Sequence, residues 1–226
     1  MLISLHLPKT AGASFRESLK EHFGSSYHED YGDFPINTPA FQRNIHALRE
    51  SVCNRFRSFE KDSCIHGHFM PLKYRYLPRN LNVCYITWMR DPVERLASHY
   101  HYWKRDYDPA TAKPLQRRVV DEKWSFERFA LGPEFRNFYC QFLWGFPFGK
   151  FDFIGITEHY EEDLRYFSQH FLGSILVGRQ VNVNQCKESR LYVNDAGLRA
   201  RIEEYHWRDM VMYRKALSRR RGFETA

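Results

Sequence analysis

An α/β fold with a central, mainly parallel sheet flanked by helices is the class this sequence predicts, and three observations predict it. Short apolar runs recur at Leu2 to Leu7, Ser63 to His66, Asn82 to Met89 and Phe153 to Thr157. Helical stretches with their own start signals lie between them, and that alternation is the mark of βαβ units. The run Asn82-Val83-Cys84-Tyr85-Ile86-Thr87-Trp88-Met89 is almost continuously apolar, as a strand covered on both faces of a parallel sheet must be. No repeat, low-complexity segment or linker interrupts the pattern, so residues 1–226 read as one domain.

The elements follow in order. Leu2 to Leu7 is a strand; Pro8 to Ser14 is a turn of small residues; a helix runs from about Ser14 to Phe23. Gly24 to Pro39 reads as loop, punctuated by Gly24, Gly32, Pro35 and Pro39. Thr38 as N-cap with Pro39 at the first helical position opens a helix through about Phe56. Ser63 to His66 is a short strand, and Met70 to Tyr76 a short helix stopped by Pro78. After the Asn82–Met89 strand, Asp91 caps a helix with Pro92 first, running to about Lys104. Residues 105 to 123 form a polar surface excursion, followed by helices at Ser125 to Leu131 and Pro133 to Leu143. Phe153 to Thr157 is a buried strand, Glu158 to about Phe171 a helix, and Val181 to Asn184 extended. Asn194 or Asp195 caps a helical tail reaching about Arg219.

Composition narrows the function classes. Lys and Arg number 34 against 27 Asp and Glu, a formal charge of +7 that favours anionic partners such as nucleic acid, an anionic polysaccharide, a membrane surface or a nucleotide. Nineteen Phe, 14 Tyr and 5 Trp suit a packed domain and not a disordered tail. The five cysteines are scattered and include no C-x-x-C pair, which argues against zinc and disulfide frameworks. Cys64 and Cys84 fall in strands, where buried thiols are expected. No run of about 18 apolar residues occurs, and Met1 leaves little room before the first strand for a leader or anchor. A soluble, cytoplasmic protein is the expectation.

Three sites fall at strand carboxyl ends, which share one edge in a parallel sheet. At the first, a strand, a small-residue loop and a helix start present backbone N–H groups and the helix dipole to one point, with Lys9 adding a full charge. From these residues alone the loop is either an anion cradle or an ordinary turn with a solvated lysine. It is not a Walker A loop, because Lys9 precedes the only glycine, Gly12, by three residues. At the second, His66 and His68 flank Gly67 and, two apart in extended chain, point to the same side. An imidazole there takes a proton near neutral pH. Metal binding needs a third ligand that is not nearby, and a structural pair of histidines is the remaining alternative. The other nine histidines read as surface or core residues. At the third, Arg90 ends a strand and Ser98 lies two turns into the next helix; a guanidinium fork and a hydroxyl suit a phosphate, or else Arg90 pairs with a carboxylate.

Here a family resemblance enters. Leu7-Pro8-Lys9-Thr10-Ala11-Gly12-Ala13-Ser14-Phe15 resembles the 5′-phosphosulfate loop of sulfotransferases that use 3′-phosphoadenosine 5′-phosphosulfate (PAPS). Arg90 through Tyr100, RDPVERLASHY, resembles their 3′-phosphate element, and His66-Gly67-His68 the catalytic segment of the heparan sulfate 2-O-sulfotransferase branch. Phe153 to Glu158 and Val181 to Asn184 resemble further segments of the carbohydrate sulfotransferases, so the likeness runs in matching order from about Leu2 to Asn184. The resemblance implies a P-loop-like sulfotransferase fold and transfer of a sulfuryl group from PAPS, released as 3′-phosphoadenosine 5′-phosphate (PAP), to a hydroxyl-bearing acceptor, a glycan. It further implies that residues Thr10, Ala11, Gly12, Ala13, Ser14 and Phe15 with Lys9 hold the phosphosulfate, that Arg90 and Ser98 hold the 3′-phosphate, and that His68 is the base with His66 as helper or alternative. No metal and no nucleic acid enter that chemistry. The sequence given is shorter than the animal enzymes and is expected to lack their Golgi anchor, so the resemblance does not carry over their acceptor loops or heparan substrate.

The basic tail with Arg214, Lys215, Arg219, Arg220 and Arg221 is a solvated helix end or a contact for an anionic glycan or membrane headgroups. The rival enzyme is a nucleotide or small-molecule kinase on a related phosphate-loop fold, and the non-enzymatic rival a basic glycan-binding module.

Overall fold

A computed structural model describes residues 1–35, 37–60, 63–174, 176 and 192–224. Five strands form one sheet: β1 (Leu2–Leu5), β2 (Tyr27–Glu29), β3 (Cys64–Gly67), β4 (Cys84–Met89) and β5 (Phe153–Ile156). Their order is β2-β3-β1-β4-β5, and every pairing between neighbours is parallel. The α/β class with helices on a parallel sheet is therefore correct. Because β1 lies between β3 and β4, the three strand ends singled out above are adjacent.

The helices are α1 (Gly12–Phe23), α2 (Ala40–Arg55), α3 (Pro92–Arg105), α4 (Pro114–Asp121), α5 (Phe126–Ala130), α6 (Phe138–Phe142), α7 (Tyr160–Phe167), α8 (Ala196–Tyr205) and α9 (Trp207–Glu224). Alternation along the strands sorts the core into two layers. Leu2, Cys64, Ile86, Trp88 and Phe153 face α1 and α7, meeting Phe15, Leu19, Leu164 and Phe167. Ile3, Leu5, Ile65, Tyr85, Ile154 and Ile156 face the other way, onto a larger layer that includes Leu96 of α3 and Phe129 of α5. Gly155 is required in β5, since a Cβ there would lie 2.5 Å from the Trp88 ring.

Local chemistry explains several boundaries. Asp91 caps α3 by accepting from Val93 N (2.9 Å) and Glu94 N (3.0 Å), with Pro92 at the first position, as expected. Ser125 caps α5 through Arg128 N (3.1 Å), and Asp195 caps α8 through Leu198 N (3.0 Å).

Other expectations need correction. β1 ends at Leu5, two residues early. β2 replaces part of the Gly24–Pro39 loop; it is a three-residue edge strand. The N-cap of α2 is Pro39, with no side-chain cap, and the Thr38 carbonyl instead accepts from Arg43 Nε at 3.0 Å. The Met70–Tyr76 helix is a single 3₁₀ turn at Pro71–Tyr74. The 105–123 excursion contains α4. Cys64 is buried, but Cys84 is only half-buried. Val181–Asn184 lies outside the described residues.

His206 accounts for two further breaks. Its Nε2 lies 2.7 Å from the Ala130 carbonyl, which only accepts, so Nε2 carries the proton and Nδ1 accepts from Asn137 N at 3.1 Å. That bond holds Asn137 in the left-handed region at φ 50, dividing the expected Pro133–Leu143 helix into a 3₁₀ turn and α6. The same residue separates α8 from α9, where one continuous tail was expected. Among the described residues, no helix is long and apolar enough to cross a membrane.

Candidate active site

A cleft of about 900 Å³ opens at the carboxyl ends of β1, β3 and β4. Lys9, Ala11, Gly12, Ala13 and Ser14 line it from the loop after β1, His68 from the end of β3, and Arg90 and Ser98 from β4 and α3. Three segments more than 20 residues apart in sequence thus meet in one cavity.

The loop has the backbone of an anion cradle. Lys9 (φ 70) and Ala11 (φ 64) both occupy the left-handed region, which non-glycine residues enter at a cost of about 1–3 kcal/mol. Alternating hands turn successive N–H groups inward. No side chain caps α1 and its first turn has no acidic residue, so by helix geometry the N–H groups of Gly12 and Ala13 have no intrahelical acceptor. Gly12 has another reason to be glycine: a Cβ there would sit 1.9 Å from the His6 ring. The loop closes onto β1 only without it.

Two assigned loop residues contribute less than expected. The Thr10 side chain is fully buried and its hydroxyl donates to the Leu7 carbonyl at 2.7 Å, which leaves its backbone, not its hydroxyl, for a ligand. Phe15 is a core residue whose N–H donates to Ala11 O at 3.3 Å, so neither its ring nor its amide faces the cleft.

Positive charge gathers around the loop. Lys9 Nζ lies 3.9 Å from the centre of the Tyr102 ring, and burial, then Arg105 and Arg90, lower its pKa to about 8. Among the described residues neither Lys9 nor Arg90 forms a hydrogen bond or ion pair through its side chain, in contrast to the carboxylate partner weighed for Arg90. An anion bound between them would raise the Lys9 pKa again. Tyr102 and Arg105 escaped the sequence reading as cleft residues. They follow Ser98 by four and seven positions, hence share its face of α3.

Arg90 is held by its backbone. Its N–H donates to the Tyr139 hydroxyl at 3.1 Å, and that hydroxyl donates to the Arg90 carbonyl at 2.6 Å. Asp209 fixes Tyr139 in turn, accepting from its N–H at 3.1 Å. The Phe153–Glu158 segment braces the next residue: Glu158 accepts from Asp91 N at 2.9 Å, and Thr157 Oγ1 donates to Met89 O at 3.1 Å. The segment thus sets the turn after β4.

The histidines are the largest revision. His66 and His68 do point to one side, but His66 is 1% exposed, absent from the cleft wall and bonded through Nδ1 to Ser4 Oγ at 2.8 Å. Its Nε2 is enclosed without a hydrogen-bond partner, and burial lowers its pKa to about 3. It cannot reach an acceptor, so the helper or alternative-base role does not fit. His68 does line the cleft. Its Nδ1 is hydrogen-bonded to the His6 carbonyl, which only accepts; Nδ1 therefore carries the proton and Nε2 presents the lone pair. Burial, reinforced by Lys113, lowers its pKa, although the His6 bond opposes the shift.

His6, set aside in the sequence as surface or core, lines the cleft between them. Its ring centroid is 5.1 Å from that of His66 and 4.2 Å from that of His68. The register pairs Leu5 with Gly67, which carries His6 to the level of His68. Only the strand order reveals this. Burial pushes its pKa well below the usual histidine value. Among the described residues, no group of three His, Cys, Asp or Glu is arranged to hold a metal ion.

Comparison with known proteins gives one sequence relative. The chain is 28% identical over 138 residues to heparan sulfate 2-O-sulfotransferase 1 of Xenopus laevis, an alignment taking in 56% of this chain and 35% of that protein. The chain thus matches about a third of the length of this curated relative. No family model matches the chain. A solved structure of mouse sulfotransferase SULT7A1 complexed with PAP aligns with 92% of this chain and 64% of its own, at 13% identity and a TM-score of 0.35. The sequence match is thus to part of a sulfotransferase.

Proposed function

Taking the chain as a relative of the PAPS-dependent sulfotransferases, we propose that it moves a sulfuryl group from PAPS to a hydroxyl of a carbohydrate acceptor. One observation carries this reading: a single cleft joins an anion cradle with Lys9, a second cation at Arg90 near Ser98, and a neutral histidine. A ligand with phosphate at both ends of a nucleoside matches two cationic sites in one cavity better than a single phosphate would.

The loop fits such a group, because its left-handed residues and the first-turn amides of Gly12 and Ala13 form a concavity that a Cβ at Gly12 would distort. Lys9 and the amides of Thr10 to Ser14 would hold the phosphosulfate end, and Arg90 with Ser98 the 3′-phosphate. PAPS supplies the activated sulfuryl group and leaves as PAP. The protein's part is to hold the donor in line, to place the Lys9 charge where negative charge grows, and to take a proton at His68 Nε2. The 2-O-sulfotransferase relative and the +7 charge support an anionic glycan acceptor.

Thermal unfolding with PAP, against ATP and magnesium, tests the donor site. PAP at 100 times its dissociation constant stabilises the fold by about 2.7 kcal/mol. A shift with ATP and magnesium and none with PAP rejects this reading in favour of a kinase. The Lys9 pKa gives a second test. Free Lys9 loses its proton above about pH 8, so the site binds an anion best below that value. Taking the pH from 7 to 9 raises the PAP dissociation constant by about tenfold, the limit for one linked proton. Titration calorimetry measures it, and the dependence disappears in Lys9→Ala.

A further inference from the structure

Helix α2 is inside out. Its buried face consists of Arg43, Ala47, Ser51 and Asn54, whereas its solvent face carries Phe41 (74% exposed), Ile45, Leu48, Val52 and, one residue past its end, Phe56 (80% exposed). Positions 41, 45, 48, 52 and 56 fall within about 80° on a helical wheel, a single continuous stripe. The buried face makes polar contacts: Asn54 Nδ2 donates to Lys73 O at 3.1 Å, and Arg43 Nη2 to Gln141 Oε1 at 2.8 Å. A large apolar stripe left in water along one face of a helix marks an interaction surface.

The order of the stripe identifies its occupant. Read in either direction it runs phenylalanine, β-branched residue, leucine, β-branched residue, phenylalanine. A two-fold axis crossing the helix between Leu48 and Arg49 exchanges Phe41 with Phe56 and Ile45 with Val52, and sets the two Leu48 side chains together at the centre. A patch with that symmetry is self-complementary, which is the requirement for an isologous contact. Charge agrees. The antiparallel arrangement sends the Arg55–Arg57 ends of the two helices apart, whereas parallel pairing would bring these basic ends and like dipole ends together; the one like-charge pair it creates is Arg49 with the partner's Arg49, exposed on the flank of the seam.

We propose that the chain forms a dimer through antiparallel pairing of α2 with α2 of a second copy. Phe41 and Phe56 of opposite copies stack in two outer layers, around a centre of Leu48 on Leu48. The other face of the helix carries Arg43 into the wall of the cleft, so each copy's site rests on the shared helix pair.

Sedimentation velocity of the full chain, over a concentration series, tests this directly. The expected species has twice the mass of the chain, and Leu48→Glu converts it to the single-chain mass with circular dichroism unchanged, because Leu48 is 44% exposed. A single-chain mass at every concentration, or a dimer that persists in Leu48→Glu, overturns the proposal. Orientation is read by mild oxidation. Leu48→Cys, made with Cys53→Ser, cross-links across the axis. Native Cys53, exposed and unbridged, does not, because in the antiparallel pair the two copies of it stand about 13 Å apart along the helix, beyond disulfide reach. Efficient Cys53 cross-linking without Leu48→Cys cross-linking overturns the antiparallel geometry.

Discussion

His68→Ala lowers kcat by about 10²–10⁴ while PAP affinity is retained, the expected result for loss of a positioned general base. The expectation rests on geometry before pKa. The His6 carbonyl accepts a hydrogen bond from Nδ1–H of His68 and so fixes the one tautomer whose Nε2 is an acceptor. Burial and Lys113 then lower the pKa, keeping the ring neutral at physiological pH. The sign follows: a base works when deprotonated, so a lowered pKa moves the acid limb of kcat/KM below the ordinary histidine value of about 6.5. In His68→Ala that limb disappears with the activity. His66→Ala gives a different profile, since His66 is buried against Ser4 away from the cleft wall; its loss affects folding stability more than the proton transfer. Unchanged kcat in His68→Ala, or an acid limb that survives it, removes His68 from the role of base.

The sheet was legible because burial on both faces makes strands such as Cys84–Met89 uniformly apolar, and such runs stand out. β2 escaped for the opposite reason. Tyr27-His28-Glu29 is a half-exposed edge strand held by pairing with β3, with no apolar pattern of its own. α4 was hidden in a polar segment, where burial of only Leu115 and Val119 is too sparse a period to read. Caps written in side chains, Asp91 and Asp195, were readable; the break at His206 depends on Ala130 and Asn137, residues about 70 positions away.

The same division holds for the site. Lys9, Arg90, Ser98 and His68 lie just beyond or soon after strand ends, and parallel strands bring such ends to one edge whatever their order. His6 needed the pairing of β1 with β3, which the sequence does not state. Two-residue spacing placed His66 and His68 on one side correctly, yet depth decides function, and only the end of β3 separates a ring in the cleft from one beneath it. Which atom Thr10 offers was hidden for a related reason: its hydroxyl has an acceptor three residues back in its own turn, which leaves the backbone.

Lys9→Ala is expected to reduce kcat/KM by about 10²–10³, the range for losing one preorganised donor at developing charge, and to weaken PAP binding as well. Alanine tolerates the left-handed region about as well as lysine does, so φ 70 survives the change and the loop keeps its shape. What is lost is the charge held over the Tyr102 ring. Lys9→Arg separates charge from fit. A guanidinium keeps the charge but is larger and planar, so it restores PAP affinity more than turnover. Kinetics and calorimetry on the same three proteins decide the matter: wild-type values in Lys9→Ala remove the loop from both binding and chemistry. The pairing with His68→Ala is the stronger discriminator. If Lys9 holds the donor and His68 meets the acceptor, loss of His68 leaves PAP bound and idle, while loss of Lys9 costs affinity and turnover together.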